Sequence, residues 1–459
     1  MIRIYRHFVP TATVCFILAE AALIFILAQA VIGLRVDKLG EYLQVAYANT
    51  VTLSFLLMAT TIFSGLAAGL YRRDFGVGSG WTWTAVTAIG LSLGLGVPVI
   101  AIFGLVGAHA TAMGLWEFAL PLVCAICFVT MRRAGIAASR RGLFKRRIVL
   151  IGDGARAAEI NASAGAPGST VRIAQWLHFD GAQGMRQEQR DEWSPSRLRA
   201  EGIREVVVAV EDARGLPMDL LLQWKLRGIA VTEYATFWER EVGCISLDAF
   251  EPNWFVYGEG CRRGRLGWTI KRLLDIVVSS GLLIASAPLL CGVALLIWWE
   301  TPGPVLYRQL RVGQSGKPFT LLKFRSMSVE AETAAPKWAQ QNDPRVTRIG
   351  RFIRSTRIDE LPQLVNIILG HMSLIGPRPE RPFFVEQLSR DIPYYAERHA
   401  VRPGLTGWAQ INYPYGASIY DARRKLEYDF YYLKNQSILL DLYIMTSTIR
   451  VILFREGSR

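Results

Sequence analysis

DPRVTRIGRFIRSTRIDELPQLVNIILGHMSLIGPRPE, residues 343–380, combines a series of arginines with two adjacent carboxylates, Asp359 and Glu360 (the Asp-Glu pair). Guanidinium groups bind phosphate oxygens through two parallel donors. An Asp-Glu pair can divide the remaining work between a nucleophile and a ligand for a hard cation such as Mg2+. The stretch therefore predicts a site for a phosphate-bearing substrate. The arginines are Arg345, Arg348, Arg351, Arg354, Arg357 and, beyond the pair, Arg378.

The Asp-Glu pair is predicted to lie at the start of a helix. Ser355 or Thr356 is placed to cap it, Pro362 is tolerated in its first turn, and Gly370 can end it. A carboxylate there can also simply stabilise the helix dipole. The following Pro-Arg-Pro loop (residues 377–379) favours a functional role, because it holds a cation and backbone amides rigidly.

Two interpretations without catalysis compete for the arginine series. A solvated basic face explains some of its members, and spacing by three residues is typical of a voltage-sensor helix. Pro344 and Gly350 interrupt the series, which lies outside every apolar span. We therefore expect only some of these arginines to contact substrate, and Arg354, Arg357 and Arg378 are the better candidates.

Composition places the chain at a membrane. Its 459 residues are 51% hydrophobic, with a mean hydropathy of +0.24 and a formal net charge of +14. Such an excess of positive charge suits nucleic acid, an anionic membrane or a phosphate substrate. Long apolar spans favour the last two, so no nucleic-acid partner is expected. The cysteines form no disulfide framework, and the histidines lack the spacing of zinc ligands.

Four apolar spans open the chain, at residues 12–34, 42–70, 81–106 and 113–131. Each is near or above the ~20 residues that cross a bilayer. Basic residues flank the cytoplasmic ends under the positive-inside rule, which places both ends of this unit in the cytoplasm. Residues 1–135 are thus predicted to form a four-helix transmembrane domain. Glu20 and Glu117 lie within spans, where a functional and a packing role both remain open.

Residues 147–260 predict a Rossmann-like α/β module. RRIVLIGDGARAAEI indicates a buried strand, a Gly-x-Gly turn at Gly152 and Gly154, and a helix. Such a turn can hold a phosphate at a helix N-terminus. Ala157 replaces the third glycine of the dinucleotide fingerprint, however, which weakens the motif. A structural or regulatory module and a ligand-binding one both remain open.

A fifth apolar run, residues 276–299, has Pro288 in its middle. A proline there removes a backbone hydrogen bond and kinks a helix. A crossing helix would place everything downstream outside the cytoplasm, away from activated nucleotide substrates. We therefore predict a re-entrant hairpin over residues 268–300 that enters and leaves on the cytoplasmic side. Ser286 and Pro288 mark its break.

Residues 303–327, GPVLYRQLRVGQSGKPFTLLKFRSM, alternate short β-like runs with glycine and proline and add the cations Lys323, Arg325 and Arg311. Together with KRLLDI (271–276), the stretch at 343–380 and VRPGLTGWAQINY (401–413), they resemble the bacterial polyprenyl-phosphate sugar-1-phosphate transferases. These are the monotopic phosphoglycosyl transferases of exopolysaccharide, capsule and O-antigen synthesis. The resemblance covers residues 271–454, and the N-terminal half resembles that of the larger members.

The resemblance implies a two-step reaction. Asp359 would attack the β-phosphate of a UDP-sugar, release UMP and carry the phosphosugar until undecaprenyl phosphate accepts it. Glu360 would ligate Mg2+, and Arg378 would face the nucleotide. Further predicted substrate-binding residues are Pro377, Pro379, Lys323, Arg325, Arg354 and Arg357. The motifs do not identify the sugar, and glucose or galactose is a family-level expectation.

The predicted fold class is therefore a membrane-associated α/β protein. It comprises the four-helix transmembrane unit, the Rossmann-like module, the re-entrant hairpin and an α-rich catalytic domain over residues 301–459. Its expected location is the bacterial inner membrane, with both soluble parts on the cytoplasmic face and with a possible homodimer. The alternative is a membrane-bound NAD(P)-dependent nucleotide-sugar dehydratase or epimerase, which needs an intact glycine fingerprint and a Tyr-x-x-x-Lys pair. Tyr420 and Lys425 have the wrong spacing for that pair.

Overall fold

The structure is a computed structural model, which divides the chain into two compact units. One is made mainly of Phe8–Glu241 and the other mainly of Val242–Arg459. The described residues are 2–4, 7–9, 11–36, 43–71, 81–106, 116–166, 169–179, 194–250, 264–328, 345–414, 416 and 418–453.

The N-terminal part is dominated by four long apolar helices: α1 Thr11–Val36, α2 Leu43–Ala68, α3 Trp81–Val106 and α4 Trp116–Arg140. Strands β1 (Ile2–Ile4) and β2 (His7–Val9) form a two-stranded sheet at the start of the chain. Each helix packs against the next, and α1 packs against α4. All four are long and apolar enough to cross a membrane. Such helices are typical of a membrane protein, and the four-helix transmembrane unit stays a prediction.

Glu20 is buried in this bundle and is tied to two other helical segments. The Tyr71 hydroxyl donates to Glu20 Oε2 at 2.6 Å, and Arg132 Nη1 lies 3.8 Å from Oε1. Arg132 also lies over the Tyr71 ring and donates through Nε to the Leu70 carbonyl at 3.0 Å. These contacts favour the packing role for Glu20. The side chain of Glu117 lies outside the described residues.

A parallel four-stranded sheet follows, in the order β4-β3-β5-β6. This small parallel sheet is consistent with the predicted α/β fold class, since β-branched residues fill the buried strands and helices connect them. The elements are β3 Arg146–Ile151, α5 Ala155–Gly165, β4 Val171–Leu177, α6 Pro195–Ala200, β5 Ile203–Val208, α7 Met218–Leu226, β6 Ala230–Glu233 and α8 Tyr234–Val242.

The second unit surrounds one long helix and two short sheets. Strands β7 and β8 form an antiparallel hairpin, and β9 pairs with β10 in parallel. The elements are α9 Arg265–Glu300, β7 Leu306–Val312, β8 Pro318–Phe324, α10 Arg348–Ser355, α11 Gln363–Leu369, β9 Ser373–Ile375, α12 Pro382–Asp391, β10 Gly404–Thr406, α13 Trp408–Asn412, α14 Ile419–Asn435 and α15 Ile438–Leu453.

The predicted break in the fifth apolar run is not seen as an interruption of the helix. Helix α9 is assigned as continuous across Ser286 and Pro288. The Ser286 hydroxyl donates to the Leu282 carbonyl at 2.7 Å, inside the turn that the proline disturbs. The re-entrant hairpin is thus not confirmed and stays a prediction. The C-terminal end of α9 packs Val293 and Ile297 against the β8 and α10 side chains Phe324 and Ile353.

Candidate active site

The arginine series folds in two parts. Its middle forms α10, where the Thr347 hydroxyl accepts from the Gly350 amide at 2.9 Å. Glu300, the last residue of α9, accepts from the backbone amide of Arg348 at 2.9 Å. Both contacts satisfy amides that a helix N-terminus leaves without partners. The exposed Arg348 and Arg351 side chains lie on this helix.

Arg357 then turns the chain with a left-handed backbone, φ 59°. The Asp-Glu pair follows in a single 3-10 turn, Ile358–Glu360, and α11 begins only after Pro362. The predicted cap by Ser355 or Thr356 is therefore wrong, since both hydroxyls donate to the Phe352 carbonyl instead. Ser355 and Thr356 lie at the C-terminal end of α10, so their hydroxyls form hydrogen bonds inside that helix. Gly370 ends α11 in the left-handed conformation, as predicted.

Asp359 is a buried carboxylate, 8% exposed, whose Oδ1 has no hydrogen-bond partner among the described residues. Burial and the neighbouring Glu360 charge raise its pKa to about 6, although Lys323, Arg354 and Arg357 act in the opposite direction. A carboxylate that keeps an unsatisfied oxygen inside a protein is costly. Such a group is a candidate for chemistry, because an incoming atom can occupy the free position.

Glu360 differs sharply from its neighbour. Arg378 Nη2 donates to Glu360 Oε1 at 2.7 Å, and Arg357 Nη1 lies 3.5 Å from the same oxygen. Burial raises the pKa of Glu360, but the charges of Arg378 and Arg357 outweigh it and hold the pKa below its usual value. The two adjacent carboxylates are thus driven in opposite directions, which is how one site assigns two roles to one residue type.

Lys323 supplies a cation beside the pair. It stands opposite Tyr307 in the β7–β8 hairpin, and its Nζ lies 4.9 Å from the centre of that ring. Burial and the Arg311 charge lower its pKa to about 8, against the attraction of Asp359 and Glu360. The hairpin therefore carries a lysine whose pKa depends on the charges of Asp359 and Glu360.

The Pro-Arg-Pro loop is held by its backbone. The Gly376 amide donates to the Thr406 carbonyl at 2.9 Å, and the Gly404 amide donates to the Pro377 carbonyl at 2.8 Å. A Cβ on Gly376 would lie 2.4 Å from the Arg402 carbonyl, so only glycine lets the two segments approach so closely.

Arg311 completes this support by donating through Nη1 to the Pro379 carbonyl at 2.9 Å. Sequence reasoning counted Arg311 only as an additional cation. The contacts of the Pro-Arg-Pro loop with β10 had one signal in the sequence, the family resemblance of VRPGLTGWAQINY (401–413).

The other predicted arginines divide between the site and the scaffold. Arg354 acts electrostatically on both Asp359 and Lys323. Arg325 is buried and donates to Thr301, through its carbonyl and, at 2.9 Å, its hydroxyl. Arg325 thus binds the residue that directly follows α9. Its predicted contact with substrate stays a prediction, as do those of the remaining site residues.

The donor set suits Mg2+ better than a transition metal. Within the described residues, no group of three or more His, Cys, Asp or Glu side chains could hold an ion alone. Mg2+ commonly takes one or two carboxylates and completes its shell with substrate phosphates and water. The hard oxygens of the pair, with the unsatisfied Asp359 Oδ1, fit that pattern.

Comparisons with known proteins match this second unit. The family described as bacterial sugar transferase covers residues 266–455. The chain is 50% identical over 190 residues to the UDP-N-acetylgalactosamine-undecaprenyl-phosphate N-acetylgalactosaminephosphotransferase of Aeromonas hydrophila, which is 41% of this chain and 45% of that protein. It is 42% identical over 189 residues to the exopolysaccharide production protein PSS of Rhizobium leguminosarum bv. phaseoli, 39% of this chain and 93% of that protein.

A longer match includes part of the N-terminal half. The chain is 35% identical over 326 residues to the undecaprenyl-phosphate glucose phosphotransferase of Komagataeibacter xylinus, 68% of this chain and 60% of that protein. The chain thus spans less than two thirds of the length of the Aeromonas and Komagataeibacter proteins.

Proposed function

The chain belongs to the bacterial sugar transferase family, and from that premise we propose that it transfers a sugar 1-phosphate from a UDP-sugar to undecaprenyl phosphate. The observation that carries this proposal is the contrast within the Asp-Glu pair. Asp359 is buried with an unsatisfied oxygen, while two arginines hold Glu360 ionised. A phosphoryl transfer needs both a nucleophile and a fixed negative charge that can organise cations around phosphates.

The reaction proceeds in two displacements at one phosphorus atom. A carboxylate oxygen of Asp359 bonds to the β-phosphorus of the UDP-sugar, and the bond to the bridging oxygen breaks. UMP leaves with that electron pair. An oxygen of undecaprenyl phosphate then bonds to the same phosphorus, the acyl–phosphate bond breaks, and Asp359 recovers its carboxylate. No net proton transfer is required in either step.

The surrounding charges have separate tasks in this reaction. Arg378, held by the braced Pro-Arg-Pro loop, faces the nucleotide phosphates, while Lys323, Arg354 and Arg357 offset charge around the transferred phosphoryl group. Glu360 would hold Mg2+, which when bound neutralises charge on the phosphate oxygens. Arg325, Pro377 and Pro379 shape the site's frame.

The proposed location is the cytoplasmic face of the bacterial inner membrane. Four apolar helices span the bilayer, and α9 dips into one leaflet as a re-entrant hairpin. Two observations support the hairpin: residues near both ends of α9 contact the same domain, whereas residues 281–292 between them are exposed or half-buried. A helix of 36 residues is about 54 Å long when straight, which is more than a bilayer core needs. Homodimerisation stays a prediction.

The product begins a repeat unit of exopolysaccharide, capsule or O-antigen. The names of relatives assign N-acetylgalactosamine phosphate transfer to one and glucose phosphate transfer to another. Both sugars therefore belong in the test beside galactose and N-acetylglucosamine. No observation in the structure favours the NAD(P)-dependent alternative.

The test is UMP release by the full chain in lipid nanodiscs, with undecaprenyl phosphate, Mg2+ and each of these four UDP-sugars. We expect Asp359→Asn to lower release at least about 1,000-fold and Glu360→Gln about 100-fold. Asp391→Asn is the matched control, because this carboxylate is exposed at the end of α12 and should stay within about 2-fold.

Two results would overturn the proposal. Undiminished UMP release by Asp359→Asn would remove its role as nucleophile. Absence of UMP release by the wild type with every sugar would count against the activity itself. Recovery of sugar phosphate on a peptide containing Asp359, from UDP-sugar labelled at the β-phosphate, would establish the covalent step directly.

A further inference from the structure

The first turns of α9 carry buried polar residues. Lys271 Nζ donates to Asp441 Oδ2 at 3.2 Å and to the Ile375 carbonyl at 3.3 Å. The Tyr432 hydroxyl donates to Asp441 Oδ1 at 2.9 Å and lies 3.2 Å from the same Ile375 carbonyl. All three side chains are buried. The last residue of β9 is thus fixed from two sides.

Asp275, one turn further along α9, fixes the other end of this strand. Its Oδ1 accepts from the Ser373 hydroxyl and from the Leu374 amide, each at 3.1 Å. Asp275 and Ser373 are almost fully buried. Because β9 has only three residues, these contacts together determine its position relative to α9.

Arg272 extends the same frame to the helix that follows the Asp-Glu pair. Its guanidinium donates to the Ile367 and Ile368 carbonyls, each at 2.6 Å, at the C-terminal end of α11. Cations at a helix C-terminus satisfy its free carbonyls and complement its dipole. The beginning of α9 therefore holds both β9 and α11.

Strand β9 and helix α11 are both close in sequence to a residue of the site. Gly376 follows β9 and begins the Pro-Arg-Pro loop, and Arg378 in that loop donates to Glu360. Helix α11 begins three residues after Glu360. A shift of β9 against α11 would separate Arg378 from Glu360, since their contact joins the two elements.

We propose that Lys271, Arg272 and Asp275 are positioning residues, through which the apolar helix α9 sets the geometry of the nucleotide-binding loop. This inference rests on the proposed function, because it assigns the loop to the UDP-sugar. Burying the charged groups of Lys271 and Asp275 on one helix is costly unless their partners are fixed. Misplacement by about 1 Å can cost about 100-fold in rate, so this frame matters for catalysis.

The competing explanation is that these residues stabilise the fold and nothing more. Loss of stability lowers the amount of active enzyme and leaves both Michaelis constants unchanged. Loss of positioning instead weakens the UDP-sugar site selectively, because the Pro-Arg-Pro loop serves that substrate. The ratio of the two KM values therefore separates the explanations.

The experiment compares Lys271→Met, Lys271→Arg and Tyr432→Phe in the full chain in nanodiscs. We expect Lys271→Met to raise the KM for UDP-sugar about 10-fold or more, while the KM for undecaprenyl phosphate stays within about 2-fold. Lys271→Arg keeps the charge and the donors and should recover most of the loss. Tyr432→Phe removes one hydroxyl and should give a smaller effect in the same direction, even if Lys271→Met folds poorly. Arg265→Met, at an exposed cation of the same helix, is the control.

A second measurement does not depend on activity. Hydrogen exchange of the Leu374 and Gly376 amides should accelerate in Lys271→Met and Tyr432→Phe, with no change in Arg265→Met. If the wild type shows no turnover but exchange accelerates, the proposed function fails and the frame stands. Unchanged exchange, or equal changes in both KM values, would overturn the inference.

Discussion

Two turns in this protein carry the residues usually associated with phosphate binding, and they are built in opposite ways. At the Gly-x-Gly turn after β3, a Cβ on Gly152 would lie 2.4 Å from the Ala209 carbonyl, and one on Gly154 would lie 3.1 Å from the Glu211 carboxylate. Backbone and side-chain atoms of residues 209–211 therefore fill the space beside these glycines. At the Asp-Glu pair, by contrast, cations surround a buried carboxylate that keeps one oxygen free.

The difference shows that glycine spacing reports backbone packing and does not by itself report a ligand. Glycines at the first turn allow the loops after β3 and β5 to pack closely, with acidic side chains at their mouth. An anion approaching Gly154 would meet the Glu211 carboxylate. At the Asp-Glu pair, two adjacent carboxylates have different partners, and their pKa values are shifted in opposite directions. This contrast is a stronger indication of chemistry.

Among the changes that compare the two turns, removing Arg378 should have a large effect and removing Arg156 a small one. Arg378→Met should lower kcat/KM for the UDP-sugar about 100-fold or more, because Arg378 holds Glu360 and faces phosphates in the proposed reaction. Arg156→Met should change kcat/KM less than about 2-fold. Arg156 Nη1 donates to the Val210 carbonyl beside the first turn, which has no part in the proposed reaction. Steady-state UMP release measures both.

This pair of variants can also break the comparison. If Arg156→Met lost as much activity as Arg378→Met, with a thermal unfolding midpoint like that of the wild type, the first turn would take part in turnover. Arg378→Lys refines the result, because a lysine retains charge and loses the paired donors of the guanidinium.

A smaller effect is expected from pH, at about 10-fold for each unit. The nucleophile must be ionised, so the rate should fall as pH drops below about 6, which is the raised pKa of Asp359. It should also fall above about 8, where Lys323 loses its proton. Single-turnover UMP release without carrier excludes titration of the acceptor phosphate.

Lys323→Arg identifies the alkaline limb. An arginine stays charged, so this limb should move beyond about pH 9 while the acid limb stays in place. Lys317→Arg, at an exposed lysine of the β7–β8 turn, should leave both limbs unchanged. An alkaline limb that persists near pH 8 in Lys323→Arg would assign it to another group.

Local contacts are the ones that sequence patterns can anticipate. Arg378 and Glu360 are 18 residues apart, and their contact follows from a short helix and a rigid loop within one motif. Gly370 ended its helix as expected, because the left-handed conformation has a local sequence signature. The parallel sheet was likewise legible from its buried β-branched strands.

Distant contacts could not be predicted in this way. Lys271 and Asp441 are 170 residues apart, and no periodicity joins them. Glu300 caps α10 from 48 residues upstream, a contact that no local pattern announces. Arg325 looked equivalent to Lys323 two residues earlier, yet it reaches Thr301, because β8 ends at Phe324 and Arg325 no longer follows the alternation of the strand.

The smallest expected effect concerns stability, and it compares a buried carboxylate with a half-exposed one. Because burial raises the pKa of Asp359 to about 6, its charge opposes folding above that pH. Asp359→Asn should therefore stabilise the inactive enzyme by about 1 to 3 kcal/mol at pH 7.5, or a few degrees in Tm. Asp153→Asn, at a half-exposed position of the first turn, should change stability by less than about 0.5 kcal/mol.

The pH dependence of this gain decides its origin. Well below pH 3.8, Asp359 is protonated in the folded and unfolded chain alike, so the gain should vanish there, grow as the pH rises from 3.8 to about 6, and stay constant above that. Thermal unfolding in EDTA from pH 4 to 8 measures it without bound cations. A gain that is equal at pH 4 and pH 7.5 would mean that the amide packs better, not that a charge was removed. A loss at pH 7.5 would mean that the surrounding cations stabilise Asp359 in the resting enzyme, and its free oxygen would then be no sign of stored electrostatic strain.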